Sequence, residues 1–288
     1  MCNNSMTVTY EDVVKAKKTQ SKVIRKTNLE FSETFSKICG ANVYLKNEYE
    51  QKTGSFKIRG AYSKIRSLTE DEKSKGVVAA SAGNHSQGVA FASHIENIPC
   101  TIVMPKTASP AKVSATKGYG AKVILEGMTY DESWAHAQKI SAETNATIIH
   151  AFDDSHVIAG QGVIGLEIME QLPEVDEIYV PIGGGGLIAG IIIAVKEKYP
   201  KVKIIGVESS AYPAMKKSLE NNSLETVTGT TTIADGISVK TPGKLTFEIV
   251  KEKIDKIVTV DDGDIINAMF LLMERAKAIV EPAGAVAL

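Results

Sequence analysis

The stretch EIYVPIGGGGLIAGIIIAV, residues 177–195, decides the fold. Glu177 to Ile182 is a short run rich in β-branched residues and reads as a strand, while Leu187 to Lys198 reads as a helix that is apolar nearly all round and therefore buried. Only Gly183, Gly184, Gly185 and Gly186 separate them. Each glycine costs about 0.5–1 kcal/mol relative to alanine in an ordered backbone, so a plain turn has no use for four of them. Amides that must close on an anion at a helix start do. A flexible linker fits poorly, because strand and helix abut the glycines directly on both sides. The apolar run from Leu187 to Val195 is about half the roughly 20 residues of a membrane span, and it stops at Lys196.

Working outward, short β-branched runs alternate with helical patterns at Gly76–Ala80, Thr101–Met104, Lys122–Leu125, Thr147–Ile149, Glu177–Ile182 and Lys203–Val207. Strand and helix in alternation predict βαβ units around parallel sheets, an α/β class. Helix starts are marked by Ser109-Pro110, before a segment running to Tyr119, and by Thr9 with Asp12 three residues on. The series from Gly76 to Ile149 looks self-contained and the later strands form a second series, which predicts two α/β lobes with a cleft between them. Glu220 to Gly236, rich in Thr, Asn and Gly, reads as an irregular loop near the site.

Composition removes whole classes of function. The 288 residues carry 33 Lys plus Arg against 34 Asp plus Glu, a net charge of −1 without any basic run. Nucleic acid is therefore not an expected partner. With 43% hydrophobic and 23% charged residues the chain is ordinary globular material. Cys2, Cys39 and Cys100 are odd in number and widely spaced, which predicts neither a disulfide framework nor a zinc cluster. The first seven residues show no secretory pattern, and a cytoplasmic location, away from membranes, is the expectation.

Two further turns carry chemistry. In Thr53-Gly54-Ser55-Phe56-Lys57-Ile58-Arg59-Gly60-Ala61, Ser55 is read as an N-cap, placing Lys57 in the first helical turn, where the helix dipole opposes a cation and favours a neutral, nucleophilic amine. A lone lysine is usually a solvated surface residue, so the assignment rests on its neighbours. In Ser81-Ala82-Gly83-Asn84-His85-Ser86-Gln87-Gly88, between strand and helix, unpaired amides would receive a carboxylate or phosphate. Asn84 either adds a side-chain donor there or merely caps the helix, and His85 alone carries no catalytic assignment. The spacing Gly184-x-Gly186-x-x-Ala189, with Glu208 ending the next strand, also satisfies a dinucleotide fingerprint and predicts as a rival a nicotinamide-dependent oxidoreductase. That reading leaves the Lys57 and Asn84 turns unexplained.

As an ordered set these turns, with Val157-Ile158-Ala159-Gly160-Gln161-Gly162, Pro181 through Leu187, Ala234-Asp235-Gly236 and Glu281-Pro282-Ala283-Gly284-Ala285, closely resemble the fold-type II pyridoxal-phosphate enzymes. The branch is that of threonine ammonia-lyase (threonine dehydratase) and serine racemase, and the likeness runs from about Thr9 to the last residue. It implies a tryptophan synthase β-like fold of two open twisted α/β lobes, residues 71–152 the smaller and residues 1–70 with 153–288 the larger, and pyridoxal 5′-phosphate in the cleft between them. It implies that Lys57 bonds the cofactor, that Phe56 packs beside it and Asn84 meets the ring hydroxyl. Gly183 to Leu187 would hold the phosphate, Gly236 and Glu281 would lie near the cofactor, and Ser81, Ala82, Gly83, Asn84 and His85 would take the substrate carboxylate.

The implied reaction is β-elimination of L-threonine, and of L-serine, to a 2-oxo acid and ammonia, with Lys57 as general base. Racemisation, the alternative within the family, needs a second proton carrier where this chain has Ala82. Phe152 also matches the dehydratase pattern His-x-Phe-Asp-Asp better than the racemase one. Ala214 replaces an acidic partner of the racemase metal site near Glu208, so no required metal is expected. Relatives continue to a Ser-Gly-Gly-Asn turn facing the pyridine nitrogen, and a chain stopping at Leu288 reads as a fragment. The resemblance further implies a homo-oligomer, dimer or tetramer.

Overall fold

The computed structural model describes residues 8–288; the expectations for Cys2 and the N-terminal leader fall outside that range. Nine strands form three sheets. β1 (Leu29–Phe31) and β2 (Tyr44–Lys46) are an antiparallel pair that the sequence reading missed, each too short to show a period. β3 (Val77–Ala80), β4 (Cys100–Met104), β5 (Lys122–Leu125) and β6 (Thr147–Ile148) form a parallel sheet in the order β5-β4-β3-β6. β7 (Glu177–Pro181), β8 (Lys203–Ser209) and β9 (Lys256–Val260) form a second parallel sheet in sequence order. β9 was also missed.

The α/β reading therefore holds, and the strand limits hold to within two residues. The helix signals hold as well. Thr9 and Asp12 form a reciprocal capping box at the start of the Tyr10–Gln20 helix. Ser109 caps the Pro110–Gly118 helix, whose first residue is the proline favoured there. The stretch after the Ala214–Glu220 helix has no regular element until Asp235–Ile237, as its composition predicts.

The largest apolar core packs the Tyr10–Gln20, Ser155–Gln171 and Gly186–Lys196 helices against β7 and β8. The last two helices cross with backbones in contact: a Cβ on Gly190 would lie 2.4 Å from the Ile158 carbonyl oxygen, and one on Gly162 2.7 Å from that of Gly190. A second core joins the Lys57–Ser67 and Asn84–Ile95 helices to β3 and β4 through Ile58, Ile65, Val77, Val89 and Ile102. The Lys57–Ser67 helix also meets the Ser155–Gln171 helix, where a Cβ on Gly160 would come 2.7 Å from the Arg59 carbonyl oxygen. The lysine-bearing helix is thus clamped between the two cores. No helix among the described residues is long and apolar enough to cross a membrane.

Candidate active site

Lys57 is the first residue of its helix, as the sequence suggests, but the cap is not Ser55. Phe56 holds that place in helical conformation and supplies no side-chain bond. The Ser55 hydroxyl is buried with no hydrogen-bond partner among the described residues, and so is that of Thr53, whose φ of +67° lies in the left-handed region. The Lys57 amine donates to the Ala151 carbonyl at 3.0 Å and lies 5.3 Å from the centre of the Phe56 ring. Burial pushes its pKa down to about 8, against an opposing pull from Glu281. A substantial fraction is therefore neutral near physiological pH, the state in which an amine attacks an aldehyde or takes a proton.

The second turn lies at the end of β3. Asn84 does not cap its helix; Gly83 occupies that position, and the Asn84 side chain donates to Glu281 at 2.6 Å. Glu281 is pushed above the ordinary carboxylate range, desolvation being the largest cause. Of the amides expected to receive an anion, Gly83 N–H is spent on Ser81 Oγ at 3.1 Å. Those of Ala82, Asn84 and His85 have no partner among the described residues. His85 is buried and donates from Nε2 to the Ile149 carbonyl at 2.9 Å. A carbonyl only accepts, so this bond fixes the tautomer and leaves Nδ1 as an acceptor. Burial, then the charge of Lys57, lowers the His85 pKa to about 3, so the ring is neutral at all ordinary pH.

The glycine turn is the N-terminus of the Gly186–Lys196 helix, with Gly185 at φ +94°, a conformation that favours glycine. The amides of Gly183 to Leu187 donate to no group among the described residues. Behind the turn the space is full. A Cβ on Gly184 would strike the Phe152 ring at 2.4 Å, and one on Gly186 would lie 2.9 Å from the Phe152 Cα. The Gly184 carbonyl accepts from Thr246 Oγ1 at 2.7 Å and from Gly243 N–H at 3.2 Å. Gly236 sits beside Glu281, 3.7 Å from Oε1 when measured from a built Cβ.

Residues 149–153, linking β6 to the Ser155–Gln171 helix, join the three turns; sequence reading touched this segment only by ending a strand at Ile149 and by the pattern His-x-Phe-Asp-Asp that starts at His150. Ile149 holds His85 and Ala151 holds Lys57. Phe152 backs the glycines, and Asp153 accepts from the amides of Lys244, Leu245 and Thr246 at 3.0, 2.9 and 3.2 Å. His150 Nδ1 accepts from the amides of Phe152 and Asp153 at 3.2 and 2.8 Å, which curls the segment on itself. Ile149 and Ala151 act through their carbonyls, which leave no sequence signal, whereas His150, Phe152 and Asp153 act through side chains and are the part of the segment that the pattern His-x-Phe-Asp-Asp marks.

The dinucleotide reading fails on geometry. Glu208 is fully buried and both its oxygens are taken, by the amides of Met215 at 2.8 Å and Lys216 at 2.9 Å. Burial raises its pKa to about 7, and no ribose can reach it.

A lysine amine of lowered pKa, a turn of free amides and a separate glycine cradle at a helix start are the parts of an enzyme that binds an aldehyde carrying a phosphate. The chain belongs to the family described as pyridoxal-phosphate dependent enzymes, whose sequence model it matches over residues 20–288. An L-threonine ammonia-lyase of Thermotoga maritima is 52% identical over 279 residues, 97% of this chain and 70% of that protein. Among solved structures, maize serine racemase superposes with a TM-score of 0.95 at 35% identity, over 97% of this chain and 85% of that one. The processed form of threonine deaminase isoform 2 from Solanum lycopersicum gives 0.94 at 39% identity, over 96% and 77%. The fold is thus that of the fold-type II pyridoxal-phosphate enzymes, as the sequence motifs imply.

Proposed function

We propose that this chain is a threonine ammonia-lyase that eliminates the β-hydroxyl of L-threonine, and of L-serine, to give a 2-oxo acid and ammonia. What carries the reading is the buried Lys57 amine, its pKa lowered to about 8, donating to the Ala151 carbonyl next to Phe152, which backs the glycine turn. The ammonia-lyase name of the Thermotoga relative and the deaminase name of the tomato structure support the same substrate class.

The residues present fit pyridoxal 5′-phosphate. Lys57 is the attachment point, with Phe56 beside it, and the amides of Gly183, Gly184, Gly185, Gly186 and Leu187 take the phosphate with the helix dipole behind them. Asn84, Gly236 and Glu281 border the ring. When bound, the cofactor acts as an electron sink that acidifies the α C–H of the amino acid. The free amides of Ala82, Asn84 and His85, on the turn that Ser81 and Gly83 close, hold the substrate carboxylate. Lys57 Nζ takes the α-proton. Departure of the β-hydroxyl with a proton leaves an enamine, and water converts it to the 2-oxo acid and ammonia. A turn with Ala82 in place of a hydroxyl offers no second proton carrier, which favours elimination over racemisation. From the family resemblance a homo-oligomer, dimer or tetramer, is expected.

The test is the visible spectrum of the purified chain with pyridoxal phosphate, before and after L-threonine, with coupled measurement of 2-oxobutanoate and of D-serine from L-serine. A violet-region band that changes with threonine, is absent in Lys57→Ala, and accompanies 2-oxo acid release is the expected result. D-serine without 2-oxo acid would instead assign racemisation.

A further inference from the structure

The helix Lys244–Lys253 begins at Gly243, which has no side chain to cap it, and its first three amides would be orphans. They are capped instead by a residue about ninety positions earlier in the chain. Asp153 accepts from Lys244, Leu245 and Thr246, and a Cβ on Gly243 would lie 2.3 Å from Asp153 Oδ1. The fit leaves room for glycine alone. From this capped helix end, Thr246 Oγ1 and Gly243 N–H reach the Gly184 carbonyl. A peptide unit whose carbonyl is pinned cannot rotate, so the N–H on its far side, that of Gly185, is held facing the opposite way, toward the cradle.

We propose that Asp153 is a positioning residue for the anion cradle: through the helix it caps, and through Thr246 and Gly243, it fixes the orientation of the glycine-turn amides and so sets affinity for a phosphate it does not touch. The inference rests on the reading that Gly183 to Leu187 bind the cofactor phosphate. A carboxylate is needed because three N–H donors converge on it. In Asp153→Asn one oxygen becomes an NH2 group facing donors, the helix end shifts, and the pinning of Gly184 loosens. Thr246→Val removes the hydroxyl link and leaves the cap in place, whereas Thr246→Ser keeps the link.

The experiment compares binding of pyridoxal 5′-phosphate and of pyridoxal, which lacks the phosphate, by absorbance titration of the cofactor-stripped protein and its variants. In the parent the phosphate form binds more tightly. Asp153→Asn and Thr246→Val are each expected to weaken the phosphate form by about tenfold, the loss of one charge-assisted hydrogen bond, and to leave pyridoxal unchanged. Thr246→Ser is expected to restore the parental ratio. Equal weakening of both ligands, or an unchanged ratio in both variants, overturns the positioning role. Should Asp153→Asn fail to fold by circular dichroism, the Thr246 pair decides alone. A parent that binds both ligands equally would instead overturn the cradle reading, so the two failures are distinct.

Discussion

At the scale of the residue, the role proposed for Lys57 sets two requirements that oppose each other: the amine must be reachable by an amino acid, yet it sits where a charge is poorly solvated. Its folded pKa of about 8 stands against an ordinary 10.5. Between those values the unfolded chain binds the extra proton, so stability rises with pH across that window. Below it both states are protonated, and the folded chain carries the full penalty of the buried charge. Cofactor-free Lys57→Met is therefore expected to be more stable than the cofactor-free parent at pH 7. The difference should shrink from pH 8 upward and vanish near pH 10.5, which urea titrations at several pH values would show. A difference that stayed constant with pH would mean that burial of the charge is not its origin. Sequence alone placed this residue in the first turn of its helix, as found, but assigned its environment to a helix dipole and a Ser55 cap. Burial is the larger cause, and burial is a property of distant segments that no local pattern encodes.

At the scale of the element, the Lys57–Ser67 helix is fixed by Arg59, two residues along. The guanidinium is wholly buried and meets Glu167 at 2.8 Å and Glu48 at 2.8 Å. Lys46 Nζ adds a second contact to Glu167 at 2.7 Å. Two cations and two carboxylates balance, and β2 and the helices on either side are joined through them. Arg59→Met would leave two carboxylates against one ammonium, and a loss of about 3–5 kcal/mol in unfolding free energy is expected by denaturant titration. A loss below about 1 kcal/mol would place the pair energetically with exposed ion pairs. Arg59 stood in the sequence motif with no role. The elements whose signals are local, the glycine turn, the capping box of Thr9 and Asp12 and the Pro110 helix start, were legible because side-chain identity and neighbour spacing suffice to specify them. β1, β2 and β9 were not, since short paired strands owe their existence to partners far along the chain. The 149–153 segment was legible only through its pattern of His150, Phe152 and Asp153; the carbonyls of Ile149 and Ala151 that meet His85 and Lys57 left no signal, since every residue type carries one.

At the scale of the whole molecule, the two parallel sheets have separate cores that meet on the Lys57–Ser67 helix, and polar links away from that helix add little. Lys112 to Asp235 at 3.1 Å and Lys240 to Asp131 at 3.8 Å are exposed pairs and contribute little. The Asn84–Glu281 bond lies beside the proposed cofactor position. A cofactor bound at the proposed position binds the folded chain and not the unfolded one, so at a free concentration a hundredfold above its Kd it should raise unfolding free energy by about 2.7 kcal/mol. Trp134, the single tryptophan, packs edge-on at 5.3 Å against His150 and lies against the core of β3 and β4, so it reports on the four-stranded sheet. Its emission and the far-ultraviolet circular dichroism should therefore move to higher denaturant together; a shift in only one would mean that the cofactor stabilises one lobe alone. The segment that joins β6 to the Ser155–Gln171 helix has a consequence for how such a protein can be altered. It meets the three turns of the candidate site in five consecutive residues, each contact tied to one position in the count. Its composition can vary wherever a backbone group makes the bond, but its length cannot: one inserted residue would move Lys57's acceptor, His85's acceptor and the prop under the glycines out of step at once. Residues 221–224, by contrast, are exposed and carry no regular element, and it is there that loop grafts and insertions belong.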